Sequence, residues 1–279
     1  MSLCCSTLVT QRCDVGLTLL SVCDWLKWNN QSCLANIPQR ELAPHTMTPT
    51  NDASVPVVLV HGAWVGPRCW DPVVASLRTH GVEPFVVTLK GAASRRGENG
   101  PHISLDDHIH DVESLIVEHD LNEVTLVGHS YGGRVITGVI ANIPDRISRV
   151  VFVDAHAPVV DDGGPSEERQ QQAIDHGGML PFTGFDLDAA LVGDADLYQS
   201  LVDDIVDHPY GTLTSPWQHQ LPSHIRRTYV RALGEDAAPF EKYAHACRND
   251  SSWSYIELDG PHMLQFSHPN DLATIIVGS

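Results

Sequence analysis

The chain has 279 residues, 42% hydrophobic and 19% charged, with 17 basic against 35 acidic side chains and a formal net charge of −18 at pH 7. That is enough chain for one large globular domain with an insertion, and the composition argues against a disordered or fibrous protein. So acidic a field opposes nucleic acid and anionic membrane surfaces, no Lys/Arg cluster offsets it locally, and no apolar run approaches the roughly 18 residues that span a bilayer.

Residues 1–46 differ in composition from the rest of the chain. They hold Cys4, Cys5, Cys13, Cys23 and Cys33, balance Arg12, Lys27 and Arg40 against Asp14, Asp24 and Glu41, and lack the charged start and small-residue cleavage site of a signal peptide. The functional domain is expected to begin near Met47 and occupy 47–279, with 1–46 an extension outside its core. Beyond that point only Cys69 and Cys247 remain. A reducing, cytoplasmic setting is therefore expected, with neither a disulfide framework nor zinc-spaced cysteine pairs.

Val57–Val60 is a continuous apolar run, the pattern of a strand buried on both faces of a parallel sheet, and it leads into His61-Gly62-Ala63-Trp64. A helix over about 70–79 comes next, started by Asp71 and Pro72 and stopped by Gly81. Residues 84–89 read as a strand and 90–101 as a loop. Ser104, with Asp106 and Asp107 in the first turn, caps a helix to about residue 119. The strand from Val124 runs into Gly128-His129-Ser130-Tyr131-Gly132, and a helix-compatible run over 134–142 succeeds it at once. Residues 150–153 form another buried strand, ending at Asp154. Over about 158–223 the alternation fails and acidic, Gly/Pro-rich pieces mix with short amphipathic ones such as 189–206. This stretch is read as an inserted cap. A strand over 228–233, a helix over 240–247, the strand Trp253–Leu258, the loop Gly260-Pro261-His262 and a helix from Pro269 complete the chain. Strands alternating with helices imply an α/β architecture, a doubly wound and mostly parallel sheet with right-handed crossovers.

The G-x-S-x-G segment lies between a strand and a helix, the context of a nucleophile elbow. A serine meant to attack a carbonyl must stand on a tight, strained turn, and Gly128 and Gly132 remove the Cβ atoms that would collide there. Ser130 should then project from the C-terminal edge of the sheet, with the Tyr131 N–H aimed where an oxyanion would form. An uncharged serine needs a base, and the base needs a carboxylate. His262 fits the base, since it comes after the last strand at the same sheet edge. Asp154, Glu235 and Asp236 all stand at strand C-termini. Asp236 comes first, because it lies just beyond the penultimate strand, where the orienting carboxylate usually stands. Glu235 substitutes if the turn shifts by one residue, and Asp154 is read as a structural carboxylate beneath the cap. A second oxyanion donor is expected at the Ala63 N–H, with neighbouring His61 bracing the loop. His108 and His110, at i and i+2, face apart on a helix and make no metal site. Trp64, Phe182, Phe185, Tyr210 and Trp217 are candidates for an apolar pocket lining.

Taken together, residues 57–277 resemble the α/β-hydrolase superfamily, in particular the branch of plant methyl-ester esterases of the methyl salicylate esterase type, hydroxynitrile lyases and their bacterial esterase relatives. The resemblance is carried by the segment from Val58 to Trp64, by Trp70, Leu89-Lys90-Gly91, the segment from Gly128 to Gly133, Asp154-Ala155, Gly234-Glu235-Asp236 and Gly260-Pro261-His262-Met263. It implies Ser130 as nucleophile, His262 as base, Asp236 as acid and the Ala63 and Tyr131 amides as oxyanion hole, with no cofactor. The plant lyases resemble one another in a threonine after the first-loop histidine and a lysine after the catalytic histidine; here those positions are Gly62 and Met263. The expectation is a serine carboxylesterase acting through an acyl-enzyme on a small or medium ester or lactone. Its partner is a small molecule, not nucleic acid or membrane, and a homodimer is compatible with it. The alternatives are a lyase or other non-hydrolytic enzyme on the same triad, or a non-catalytic ligand-binding module.

Overall fold

The computed structural model describes residues 55–278 except 162, 184–186, 188–191 and 218–219. The expected extension at 1–46, the domain start near Met47 and the pocket candidate Phe185 lie outside the described residues.

Six parallel strands form one sheet: β1 (Val57–Val60), β2 (Phe85–Val86), β3 (Val124–His129), β4 (Ile147–Val153), β7 (Arg226–Ala232) and β8 (Trp253–Leu258). Their order across the sheet is β2-β1-β3-β4-β7-β8. The chain starts at β1, steps out to β2, then returns across β1 to β3 and continues to the far edge. The loops after β1 and β3 therefore leave the sheet in opposite directions and open a crevice at the strand C-termini, where α/β folds place ligands.

Helices cover both faces, which is why the central strands are apolar without alternation. In β1, Val58 and Val60 pack with helices α2 (Leu105–Glu118) and α3 (Gly132–Asn142), while Val57 and Leu59 pack with α1 (Asp71–Thr79) and the terminal helix α9 (Pro269–Val277). Helix α2 begins where Ser104 caps it: the Ser104 hydroxyl accepts from Asp107 N–H and the Asp107 carboxylate accepts from Ser104 N–H, a reciprocal capping box. The strand expected over 84–89 pairs through only two residues, Phe85 and Val86. Val87 N–H still reaches Leu59 O, but Leu89 N–H turns to the His61 imidazole at 3.3 Å. A side chain replaces the ladder there, and the strand ends.

Between β4 and β7 lies the insertion, with helices α4 (Glu167–Asp175), α5 (Ala195–Asp204) and α6 (Gly211–Thr214) and a short antiparallel pair, β5 (Met179–Leu180) with β6 (His208–Pro209). Within the segment expected to be amphipathic from 189, Asp194 caps α5 by accepting from Leu197 N–H. The bonds that tie the insertion to the loop after β1 include the Trp64 indole N–H donating to Leu180 O at 2.8 Å and Val206 N–H donating to Trp64 O at 3.0 Å. Beyond β7 come α7 (Glu241–Arg248) and, after β8, α8 (Leu264–Ser267). Among the described residues no helix is long and apolar enough to cross a membrane.

Candidate active site

Ser130 follows β3 in a left-handed conformation, φ +55°, and α3 starts two residues later. Holding a non-glycine residue there costs roughly 1–2 kcal/mol, which the surrounding packing must impose. The glycines on either side explain how the turn stays tight. A Cβ on Gly128 would lie 2.8 Å from Gly132 O, and one on Gly132 would lie 2.8 Å from Val60 O. Trp64 (φ +64°) and Asp154 (φ +39°), which come after β1 and β4, are left-handed too. The strained residues thus include three at one edge of the sheet, where strain commonly marks function.

Ser130 lines a cavity of about 510 Å³ together with Ala63, Trp64, Tyr131, Asp236 and His262. The backbone N–H groups of Ala63 and Tyr131 donate to no acceptor among the described residues. Ser130 Oγ and His262 Nε2 are likewise without a hydrogen bond there.

His262 is buried and tightly held. Its backbone N–H donates to Asp236 Oδ2 at 2.9 Å, its ring stacks on Phe240 with centroids 4.6 Å apart at 9°, and His129 Nε2–H donates to its carbonyl at 3.1 Å. Its Nδ1 meets Asp154 Oδ2 at 2.6 Å. Since an ionised carboxylate only accepts, Nδ1 carries the proton and Nε2 is left as an acceptor. Asp154 is wholly buried, and its other oxygen accepts from Arg231 Nη1 at 2.9 Å and from Ala232 N–H at 3.2 Å. Arg231 in turn donates to Ala237 O and to Glu241 Oε2.

This corrects the expectation for the orienting carboxylate. Asp154 occupies the place on the imidazole that the sequence pattern reserved for Asp236, while Asp236 holds the backbone of the same histidine. The reason lies in the sheet. Asp154 directly succeeds β4, whose Val153 pairs with Val230 of β7, so its carboxylate lies alongside Arg231 and Ala232 under the His262 loop. Asp236 sits in a 3-10 turn, Glu235–Phe240, that brings it to the main chain of residues 260–262 instead. Glu235 is exposed and is not on the wall of the Ser130 cavity. One sequence signal pointed to Asp154: Arg231 lies between Val230 and Ala232 on the inner half of its strand, and a buried guanidinium requires a buried acid nearby.

The other candidates divide. His61 is buried, its Nδ1–H donating to Gly62 O while Nε2 accepts from Leu89 N–H, and burial lowers its pKa to about 4. It braces the loop as a neutral ring. His108 is also buried, accepting from the Tyr131 hydroxyl and donating to Lys90 O, whereas His110 is exposed. Among the described residues no group of His, Cys, Asp or Glu could hold a metal. Of the pocket candidates Trp64 lines the cavity. Trp217 stands behind it, packed on Arg134 and His156, and Phe182 and Tyr210 are half-buried outside its wall, so these three are corrected. The wall instead includes Arg134, His156, Arg169, Phe240, Lys242 and Tyr243. Nothing in their local sequence marked them, because insertion and core meet there only in the folded chain.

The order of strands, the elbow at the switch point and the His–Asp pair at the same edge are those of one fold, and a family model, that of the alpha/beta hydrolase family, matches residues 57–275. The chain belongs to the alpha/beta hydrolase family. This hydrolase is 30% identical over 235 residues to the carbendazim hydrolyzing esterase of Nocardioides sp. (strain SG-4G), covering 77% of its own length and 96% of that relative. It is 33% identical over 99 residues to methylesterase 18 of Arabidopsis thaliana, covering 35% of this chain and 38% of the relative. In structure it is similar to an extracellular alpha/beta-hydrolase from a Paenibacillus species, with a TM-score of 0.60 and 23% identity over 80% of this chain and 98% of that one. The expected resemblance to methylesterases and bacterial esterases is thus met on both the plant and the bacterial side.

Proposed function

We propose that this hydrolase is a serine carboxylesterase that cleaves small or medium esters through an acyl-enzyme. The observation that carries the reading is the 2.6 Å contact from His262 Nδ1 to Asp154, which leaves Nε2 as a base on the wall of the cavity that Ser130 also lines. His262 removes the Ser130 proton as the hydroxyl attacks the ester carbonyl, and Asp154 stabilises the imidazolium that results. The Ala63 and Tyr131 amides receive the oxyanion; amides without an internal partner lose no hydrogen bond when it forms. The imidazolium then protonates the departing alcohol. A water molecule, deprotonated by the same Nε2, releases the acid and regenerates Ser130.

The relatives named as esterases support ester chemistry over the lyase alternative, and two positions agree. A Cβ at Gly62 would lie 3.1 Å from both His129 Nδ1 and Ser130 Cβ, so a larger residue there would crowd the nucleophile. Met263 is buried in the core with Leu264 and Leu272 and does not line the cavity. The deciding experiment is turnover of 4-nitrophenyl acetate and butyrate by the parent and by Ser130→Ala. A loss of at least about 10³-fold in the variant, with unchanged circular dichroism, is expected. Turnover surviving in Ser130→Ala, or none in the folded parent, would overturn the reading.

A further inference from the structure

Several segments of the site meet at one side chain to which the proposed chemistry gives no part. His129 is the last residue of β3, so its main chain runs straight into Ser130, and in the sheet it pairs with Val153, the residue before Asp154. Its ring reaches two further segments. Nε2–H donates to the His262 carbonyl at 3.1 Å, and the centroids of the two imidazoles lie 4.5 Å apart. Nδ1 lies against the main chain of the first loop, where a Cβ added to Gly62 would stand 3.1 Å away, one residue before the Ala63 amide. The Trp70 ring meets the His129 ring nearly perpendicularly, with centroids 6.4 Å apart, and helps to fix its plane.

Packing alone does not account for a histidine here. His129 is 1% exposed, and its Nδ1 has no hydrogen-bond partner among the described residues. Burying a nitrogen unpaired costs about 1–3 kcal/mol, which an apolar side chain of similar size would avoid. Burial, with the His262 imidazole adding to it, depresses the His129 pKa well below 6.5, so the ring is neutral. Its one proton is on Nε2, because a carbonyl can only accept. That bond crosses between segments 133 positions apart in the chain. The His262 carbonyl also accepts from Leu264 N–H at 3.0 Å, but this second bond is local to the loop and does not fix it to the sheet.

We infer that His129 is a positioning residue for the ester hydrolysis proposed above, on which the inference rests: it ties the main chain of the base to the strand that leads into the nucleophile. Asp236 holds the His262 N–H and His129 its carbonyl, so the backbone of the base is fixed at both ends. Proton transfer requires the two heavy atoms within about 2.6–3.2 Å, and a displacement of about 1 Å can cost about 10²-fold in rate. His129 exchanges no proton with Ser130 or with the ester; it acts through His262.

The test compares kcat and KM for 4-nitrophenyl butyrate in the parent, His129→Leu and His129→Gln, with the Ser130→Ala rate subtracted as background. The glutamine amide nitrogen can take the place of Nε2 and donate the same bond, whereas leucine fills the space and cannot. In His129→Leu, kcat should fall about 10- to 100-fold while KM stays within about threefold, and His129→Gln should restore kcat to within about fivefold of the parent. Loss of the ring is common to both variants, so the difference between them reads the hydrogen bond. A leucine variant within about twofold of the parent, equal losses in the two variants, or a loss carried by KM would overturn the inference while leaving the esterase reading intact. So would a leucine variant that fails to fold by circular dichroism, since the bond would then serve folding and not catalysis. If the parent itself shows no turnover above the Ser130→Ala background, the esterase reading fails and takes the inference with it.

Discussion

At the scale of single residues the site is governed by how one imidazole is held. Two carboxylates grip His262 at different points, Asp154 at Nδ1 and Asp236 at the main-chain nitrogen. Replacing each by asparagine separates their work. In Asp154→Asn the amide can donate to Nδ1 and so force the proton onto Nε2, and kcat should drop by about 10³ to 10⁴. In Asp236→Asn the side-chain oxygen can still accept from the backbone, and kcat should stay within about tenfold of the parent. The reverse ranking, in variants whose melting curves match the parent, would return the orienting role to Asp236. Arg231 is the next link, since it pairs with a carboxylate that has no access to water. Removing one partner of a buried pair costs about 3–5 kcal/mol because the other charge is stranded. Arg231→Met should therefore lower the unfolding free energy, measured in urea, by that order, and a loss below about 1 kcal/mol would show the pair to be weakly coupled. Ser130 and His262 were legible because motif and loop position place them locally. Asp154 was readable only by asking what acid a buried arginine needs.

Among the elements, the elbow and the helix behind it carry the tightest packing. A Cβ on Gly133 would stand 2.0 Å from the carbonyl oxygen of His156, which is main chain and has little freedom to retreat. Gly133→Ala should thus destabilise the protein by roughly 1–3 kcal/mol in urea unfolding, through displacement of the segment after β4. An unchanged midpoint would mean that this segment yields readily. Helix positions came closely from local rules: a capping box starts α2 at Ser104, and proline opens the terminal helix at Pro269. Strand β2 did not, because its continuation is decided by His61, an imidazole 28 positions away that takes the Leu89 N–H. The aromatic lining failed for a related reason: the exposed or buried fate of Phe182, Tyr210 and Trp217 is set by how the insertion lies on the core.

For the molecule as a whole, acid stability depends on histidines that are buried without charge. Burial lowers the pKa of His61 from 6.5 to about 4, and it depresses those of His108, His129 and His208 as well, with neighbouring imidazoles adding to the effect at His61, His129 and His208. Between pH 6.5 and 4 the unfolded chain therefore binds more protons than the folded one. Stability is full above pH 6.5 and falls on acidification through that window, His61 alone contributing on the order of 3 kcal/mol. Melting temperature measured across pH 4 to 7 should decline accordingly, and a flat profile would contradict this account. The sequence alone determined the layered α/β architecture and placed two residues of the candidate site, Ser130 and His262, at one sheet edge, because strand burial, helix capping and the elbow depend on residues a few positions apart. Only the tertiary structure decided which carboxylate meets the imidazole and which cations face the cavity. Asp154 and His262 are 108 residues apart, and Asp154 and Arg231 are 77 apart. Such contacts depend on which strands become neighbours and where the insertion settles, and no local pattern encodes either.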